Sequence, residues 1–204
     1  MPRIQPLNRN ELPLWLRLAY PLIKRGMIKL TGSSPEGGLD AIAVYAYVPG
    51  LLKGIGKLEQ VTAKQHRVDD KLKCLAQVRA ATMTNCAYCI DMGSAISLRS
   101  GLTEDQLRAL PRYRESELFT EVEKLVLDYA TGISMTPVDV SDDLFAALRE
   151  HFDNAQLVEL TSVTALENMR GRFNHALGIG SAGFSEGTIC AAPVPAGALS
   201  KVGA

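Results

Sequence analysis

The sequence of 204 residues is poor in metal ligands and in disulfide-forming residues, with three histidines and four cysteines. Four unevenly spaced cysteines are too few for the disulfide framework of a secreted domain. A structural zinc site usually brings a second close pair of cysteines or histidines, and none is present. We therefore expect neither a metal nor another cofactor.

Excess charge and long apolar runs are lacking as well. Lys and Arg (22) balance Asp and Glu (22), so nothing global attracts nucleic acid. No stretch of about 18 apolar residues runs uncharged, and no secretory signal is recognisable. These absences predict a cytoplasmic protein without a membrane or nucleic-acid partner. The first helix is cationic and carries Trp15, so a membrane-surface role is an alternative, which we rank below packing on the protein itself.

Helical spacing of apolar residues recurs nearly everywhere, whereas period-two alternation is almost absent. This pattern predicts an all-α fold of about seven to eight helices in a single domain. Its parts are N-terminal helices over 10–59, a core over 60–113, C-terminal helices over 118–178 and an irregular tail over 179–204.

Several residues predict where helices begin and end. Pro49, followed by Gly50, predicts a kink or a split in the second helix. Asn85 is expected to be the N-cap of a helix whose first residue is Cys86. Gly101 and Gly178 are expected to end their helices.

The stretch NCAYC places Cys86 and Cys89 three residues apart at a predicted helix start. Residues i and i+3 are neighbours on a helix, so the two sulfurs can meet. Free N–H groups at a helix N-terminus favour the thiolate, the reactive form of cysteine. Two alternatives remain open: an inert buried pair, and a zinc site completed by Cys74 and His66.

The chain resembles the carboxymuconolactone decarboxylase superfamily, and within it the alkylhydroperoxidase D-like (AhpD-like) branch. The resemblance covers roughly residues 60–190, and NCAYCIDM followed by a helix and GLTEDQL is its most specific part. FTEVEKLVLDYAT, SDDLFAALREHF and ENMRGRFNHALG resemble the C-terminal half of longer members. The resemblance implies an all-α protein that assembles into a homo-oligomer, a trimer or a hexamer.

The resemblance also implies a chemistry for the two cysteines. Cys89 would attack a hydroperoxide, and Cys86 would resolve the resulting sulfenic acid as a disulfide. A thiol or dithiol reductant would then restore the dithiol. We accordingly expect an oxidoreductase with peroxidase activity on hydroperoxides.

The chain departs from the family at the groups that move protons. Gly93 stands where a histidine is usual, Cys74 where a glutamate is usual, and Tyr88 where a further histidine sometimes occurs. The helix dipole alone would lower a thiol pKa from about 8.5 to between roughly 7 and 8. Some thiolate would therefore form at neutral pH without the relay.

Three residues are candidates for accessory roles: Cys74, Glu167 and His175. Cys74 could stand beside the pair as a third thiol, although a small buried packing residue is the favoured interpretation. Glu167 and His175 share nearly one face of the C-terminal helix and could supply a base. Asp91 is expected to point away from Cys89.

Two other functions compete with the peroxidase. A lyase acting on lactone-type acids would need a base and a cationic clamp, for which His175 with Arg170 or Arg172 could serve. A non-catalytic oligomer for binding or redox sensing would fit the loss of both relay groups.

Overall fold

The computed structural model describes residues 2–194, which form nine α-helices, one 3₁₀ helix and no β-strand. The all-α expectation is confirmed. The helix count exceeds the expected seven to eight because the second helix is split ahead of Pro49, which takes the first position of a new helix. The elements are α1 Leu14–Thr31, α2 Asp40–Tyr45, α3 Pro49–Thr62, α4 Asp70–Met83, α5 Ala87–Arg99, α6 Glu104–Ala109, the 3₁₀ helix Leu110–Glu115, α7 Glu121–Ser134, α8 Asp142–Arg149 and α9 Asn154–Leu177.

Helix α4 is the centre of the fold and packs against α5, α7 and α9. Nearly every residue from Lys73 to Thr82 is buried, so the helix has no solvent face along most of its length. A helix that is buried all round must satisfy its charged residues internally. Lys73 does so through Asp70 and Glu159, with N–O distances of 2.8 and 3.1 Å.

Helix α9 approaches the α4–α5 turn closely because it carries a glycine there. A Cβ atom on Gly171 would collide with the side chain of Thr84 at the end of α4. Asn174 lies three residues further along α9 and is buried. The glycine therefore sets how near the last turns of α9 come to the start of α5.

The tail after α9 has no regular structure as far as Val194, and it lies along α5. The carboxylate of Asp91, in α5, anchors it by accepting six hydrogen bonds of 2.7 to 3.1 Å. The donors are the Ser181 and Ser185 hydroxyls and the backbone N–H groups of Ala182, Gly183, Phe184 and Ser185. Further along, the Val194 N–H donates to the Thr82 carbonyl at 3.2 Å. The rest of the predicted tail lies outside the described residues.

Helices α1 to α3 form an N-terminal layer with its own small apolar cluster around Leu12, Leu16 and Leu52. Their outer faces and the turn before α3 expose several large apolar side chains, which include Leu14, Leu18, Leu22, Tyr47, Val48, Leu51, Leu58 and Val61. None of the helices within residues 2–194 combines the length and the apolar character that a membrane crossing requires.

Candidate active site

Cys86 and Cys89 are joined by a disulfide bond, with 5.2 Å between their Cα atoms. Cys86 is the N-cap of α5, which begins at Ala87, and its Sγ accepts a hydrogen bond from the Cys89 N–H at 3.2 Å. The prediction of Asn85 as N-cap was wrong by one residue. The sulfur of Cys86 thus caps the helix that carries Cys89.

Asn85 turns the chain between α4 and α5. Its φ of 51° makes it the one non-glycine residue with a positive φ among the residues described. Asparagine tolerates this left-handed conformation better than most side chains. The Cys86 N–H donates to the Ala81 carbonyl at 3.2 Å and closes the turn. This hydrogen bond fixes the backbone of Cys86 relative to the end of α4.

Asn174 lies against Cys89, the second cysteine of the pair. Its Nδ2 donates to Cys89 Sγ at 3.4 Å, and both residues are buried, with about 4% of each surface exposed. A fixed N–H donor stabilises a thiolate more than it stabilises a thiol. Sequence reasoning did not find Asn174 as a site residue, because nothing in the sequence shows that α9 crosses α5 at this point.

His175 lies at the same corner but does not reach a sulfur. Its Nδ1 is 3.0 Å from the carbonyl oxygen of Asn85, the residue before Cys86, and its side chain is exposed. A carbonyl can only accept, so Nδ1 carries the proton in this contact and the neutral ring keeps Nε2 as its free acceptor. The structure thus brings His175 near the pair without a direct hydrogen bond to it.

The Glu167 carboxylate is paired with Arg170 and not with the dithiol. Its carboxylate accepts from Arg170, which also holds Glu59 through two hydrogen bonds of 2.7 and 2.6 Å. Burial raises the pKa of Glu167, against the opposing effect of Arg170. Asn174 is seven residues further along α9, about 10 Å by helical rise. The structure therefore does not bring Glu167 to the dithiol.

Cys74 also lies away from the pair. Burial raises the pKa of its thiol, and the nearby hydroxyl of Ser100, at the C-terminal end of α5, lowers it. Ser100 follows Cys89 by eleven residues, about 16 Å of helix. A Cβ atom on Gly93 would meet only the Val78 side chain, at 4.0 Å.

Tyr88 and Asp91 support the site without touching its sulfurs. The Tyr88 hydroxyl donates to the Gly38 carbonyl at 2.6 Å, and its ring packs edge-on against Phe184. Burial raises the pKa of Tyr88. The Asp91 carboxylate faces the tail. The hydrogen bonds from the tail outweigh burial and hold the pKa of Asp91 below its usual value.

The region defines a class of protein: an all-α chain with a buried dithiol at the start of a helix. The model of the carboxymuconolactone decarboxylase family matches residues 49–132. The uncharacterized protein YnjA of Escherichia coli (strain K12) is 38% identical over 130 residues, which are 63% of this chain and 69% of YnjA. The chain belongs to the carboxymuconolactone decarboxylase family.

Two solved structures share the fold. The debrominase Bmp8, in its apo form, has a TM-score of 0.72 at 21% identity, over 86% of this chain and 89% of Bmp8. An uncharacterized peroxidase-related protein from Ralstonia eutropha JMP134, an alkylhydroperoxidase AhpD core, has a TM-score of 0.68 at 18% identity, over 87% and 90%. The all-α, AhpD-like architecture is thereby shown.

No group of three or more histidine, cysteine or acidic side chains within residues 2–194 is arranged to hold a metal ion. In the zinc alternative, Cys86 and Cys89 would both be ligands, whereas their sulfurs are bonded to each other here.

Proposed function

We propose that the protein is a thiol oxidoreductase that reduces hydroperoxides through Cys86 and Cys89. The observation that carries the proposal is the disulfide at the start of α5, with the Asn174 amide on Cys89 Sγ. Membership of the family supports it, because the C-x-x-C is the redox pair in the AhpD-like branch that this sequence resembles.

The proposed cycle balances as follows. The Cys89 thiolate attacks one oxygen of ROOH, the O–O bond breaks, and the alkoxide takes a proton to leave as ROH while Cys89 becomes a sulfenic acid. The Cys86 thiolate then attacks the Cys89 sulfur, and the hydroxyl leaves as water. Two equivalents of a thiol, or one dithiol, reduce the disulfide and are themselves oxidised to a disulfide.

Three groups in the structure assist the thiolate in this proposal. The free N–H groups of the first turn of α5 and the Asn174 amide stabilise negative charge on Cys89. The Nε2 atom of His175 is the candidate for taking up the thiol proton, and a water molecule would have to connect it to Cys89. Glu167 and Cys74 take no part in the proposed cycle.

The test follows reduced protein mixed with cumene hydroperoxide, with the Cys86–Cys89 disulfide measured by peptide mass spectrometry. Cys89→Ser should abolish consumption, Cys86→Ser should leave a Cys89 sulfenic acid that dimedone traps, and Cys190→Ser should behave as wild type. If wild type and Cys89→Ser consume the hydroperoxide equally slowly, the proposal is wrong. A parallel assay with 2,3,4-tribromopyrrole, the compound in the complex of the Bmp8 variant, tests another oxidised substrate.

The lyase alternative is less well supported, because both arginines of its cationic clamp already have partners within the chain. Arg170 is paired with Glu59 and Glu167, and Arg172 donates to Asn168 at 2.8 Å and to Thr136 at 3.3 Å. A redox-sensing role keeps the dithiol but predicts a rate with hydroperoxide no faster than that of a free thiol. The peroxide assay therefore separates sensing from catalysis.

The proposal extends to location and assembly. A cytoplasmic location would provide the thiol reductant that the cycle needs. Self-association into a trimer or hexamer would cover the apolar outer faces of α1 and α3, which are large for an isolated chain. Replacing Leu51 and Leu58 with Glu should convert the assembly to monomers in light-scattering measurements, whereas Lys57→Glu on the same helix should not. An unchanged mass would exclude α3 from the interface.

A further inference from the structure

A concave site lies in the N-terminal layer, apart from the dithiol. It is a pocket with a cavity volume of about 360 Å³ between the start of the chain, α1 and the loop before α2. Ligand pockets for small molecules begin at about 300 Å³, so the space suits a small ligand. Its apolar wall includes Leu7, Leu12, Leu39 and Ala43.

Two cations stand on one side of this pocket. The guanidinium of Arg9 lies over the ring of Tyr20, 5.4 Å from its centroid. Lys24 is four residues after Tyr20 on α1 and therefore shares its face of the helix. Within residues 2–194, the side chains of Arg9 and Lys24 form neither a hydrogen bond nor an ion pair, so the positive charge there is uncompensated.

Two carboxylates line the pocket, one from the loop before α2 and one from the first residue of that helix. Glu36 and Asp40 are close enough that Glu36, together with burial as the larger cause, raises the pKa of Asp40. In the part of the chain that the structure describes, neither side chain has a hydrogen-bonding or ion-pairing partner. The pocket thus holds a positive pair and a negative pair that do not neutralise each other by direct contact.

The backbone of Gly38 forms part of the pocket lining. A Cβ atom on Gly38 would lie 3.0 Å from the Pro35 carbonyl and 3.1 Å from the Phe184 ring, so only glycine fits without a shift. The Gly38 carbonyl also receives the Tyr88 hydroxyl. The pocket therefore shares a wall with the packing behind the dithiol but does not open onto its sulfurs.

We propose that this pocket binds a small zwitterion with an apolar body, its acid group between Arg9 and Lys24 and its ammonium group between Glu36 and Asp40. A ligand carrying one charge would satisfy one pair and leave the other uncompensated. A zwitterion satisfies both, and the apolar wall accepts the remainder of the molecule.

Three matched probes test the charge requirement on the full-length protein by isothermal titration calorimetry at pH 7. The probes are L-phenylalanine, 3-phenylpropanoate, which lacks the ammonium group, and phenethylamine, which lacks the carboxylate. Phenylalanine should bind saturably, with a Kd below about 10 mM, and each single-charge probe at least about tenfold more weakly. No saturable binding of phenylalanine, or equal binding of either single-charge probe, would overturn the proposal.

Single substitutions then test the orientation. Arg9→Gln should weaken phenylalanine and 3-phenylpropanoate but not phenethylamine, whereas Asp40→Asn should weaken phenylalanine and phenethylamine but not 3-phenylpropanoate. Arg25→Gln, also on α1 but not lining the pocket, should change none of the three. If Arg9→Gln and Arg25→Gln give the same affinities, the assignment of the acid group is wrong. Phenylalanine binding does not depend on the redox pair, so it should persist in Cys89→Ser.

Discussion

Charged side chains are paired differently in two regions of the molecule. The first region is formed by α4, α5 and α9, and the second is the pocket in the N-terminal layer. In the first, Asp91 accepts six hydrogen bonds and Arg170 holds two carboxylates. In the second, Arg9 and Asp40 line a pocket and have no polar side-chain partner within residues 2–194. Burial explains the difference, because an unpaired charge in the core costs several kcal/mol, whereas water satisfies it in an open pocket.

The same contrast holds for apolar groups. Around the dithiol, Cys86, Cys89 and Tyr88 are all buried in one cluster. In the N-terminal layer, Leu18 and Leu22 are 72% and 70% exposed. The first region thus has its packing completed within the chain, and the second presents surfaces for other molecules. The predictions below test this division.

The largest difference is expected between two substitutions of the same kind, Asp91→Asn and Asp40→Asn. Asp91→Asn should lower the free energy of unfolding by about 2–4 kcal/mol, because several N–H and O–H groups of the tail lose a charged acceptor. Asp40→Asn should change it by no more than about 0.5 kcal/mol. Urea unfolding measures both. Equal effects would remove the distinction between the two regions.

The pH dependence of the same pair has opposite signs. The pKa of Asp91 is lowered in the folded protein, so its stabilisation is present above the ordinary carboxyl pKa of about 4 and is lost as pH falls through the folded value. The pKa of Asp40 is raised, so protonation below that value favours the fold. Wild type should therefore lose stability on acidification more steeply than Asp91→Asn, which lacks the Asp91 carboxylate. Asp40→Asn should lose stability slightly more steeply than wild type, because it lacks the gain from protonating Asp40. Thermal unfolding across pH 3 to 6 measures both differences.

Gly171→Ala tests the close approach of α9. The added Cβ collides with Thr84, and overpacking of this kind costs about 1–3 kcal/mol. Displacement of Asn174 should also slow the reaction of Cys89 with hydroperoxide. Gly26→Ala, on α1 with no atom within 4 Å of the new Cβ, should instead stabilise by up to about 1 kcal/mol. Adding Thr84→Ala to Gly171→Ala should restore part of both losses.

Asn174→Ala tests the amide on Cys89. Loss of the N–H donor should raise the pKa of the Cys89 thiol in the reduced protein by about 0.5–1 unit. The pH dependence of Cys89 alkylation, followed by mass spectrometry, gives this value. Asn154→Ala, exposed at the start of α9, is the matched control. An unchanged pKa in Asn174→Ala would leave the helix N-terminus as the main support of the thiolate.

Cys74→Ala should have the smallest effect on the dithiol. The thiol lies near Ser100 at the far end of α5, so the rate of Cys86–Cys89 disulfide formation should match that of wild type. A slowed rate with unchanged stability would restore the interpretation of Cys74 as a third redox thiol.

Local sequence patterns predicted the helices well. Gly178 follows α9, as expected, because caps depend on a few adjacent residues. The N-cap of α5 was misplaced because a cysteine sulfur, an uncommon cap, took the role that the sequence suggested for Asn85. The extent of the single domain and the identity of the accessory residues stay predictions.

The sequence by itself determined the helical fold and the placing of two cysteines at a helix start, since both follow from spacing within about twenty residues. Only the tertiary structure decided which distant groups surround them. Asn174 reaches Cys89 because Gly171 lets α9 approach, while Glu167 is taken by Arg170 and Cys74 lies toward the other end of α5. Such neighbours depend on how helices far apart in the chain cross, which no local pattern records.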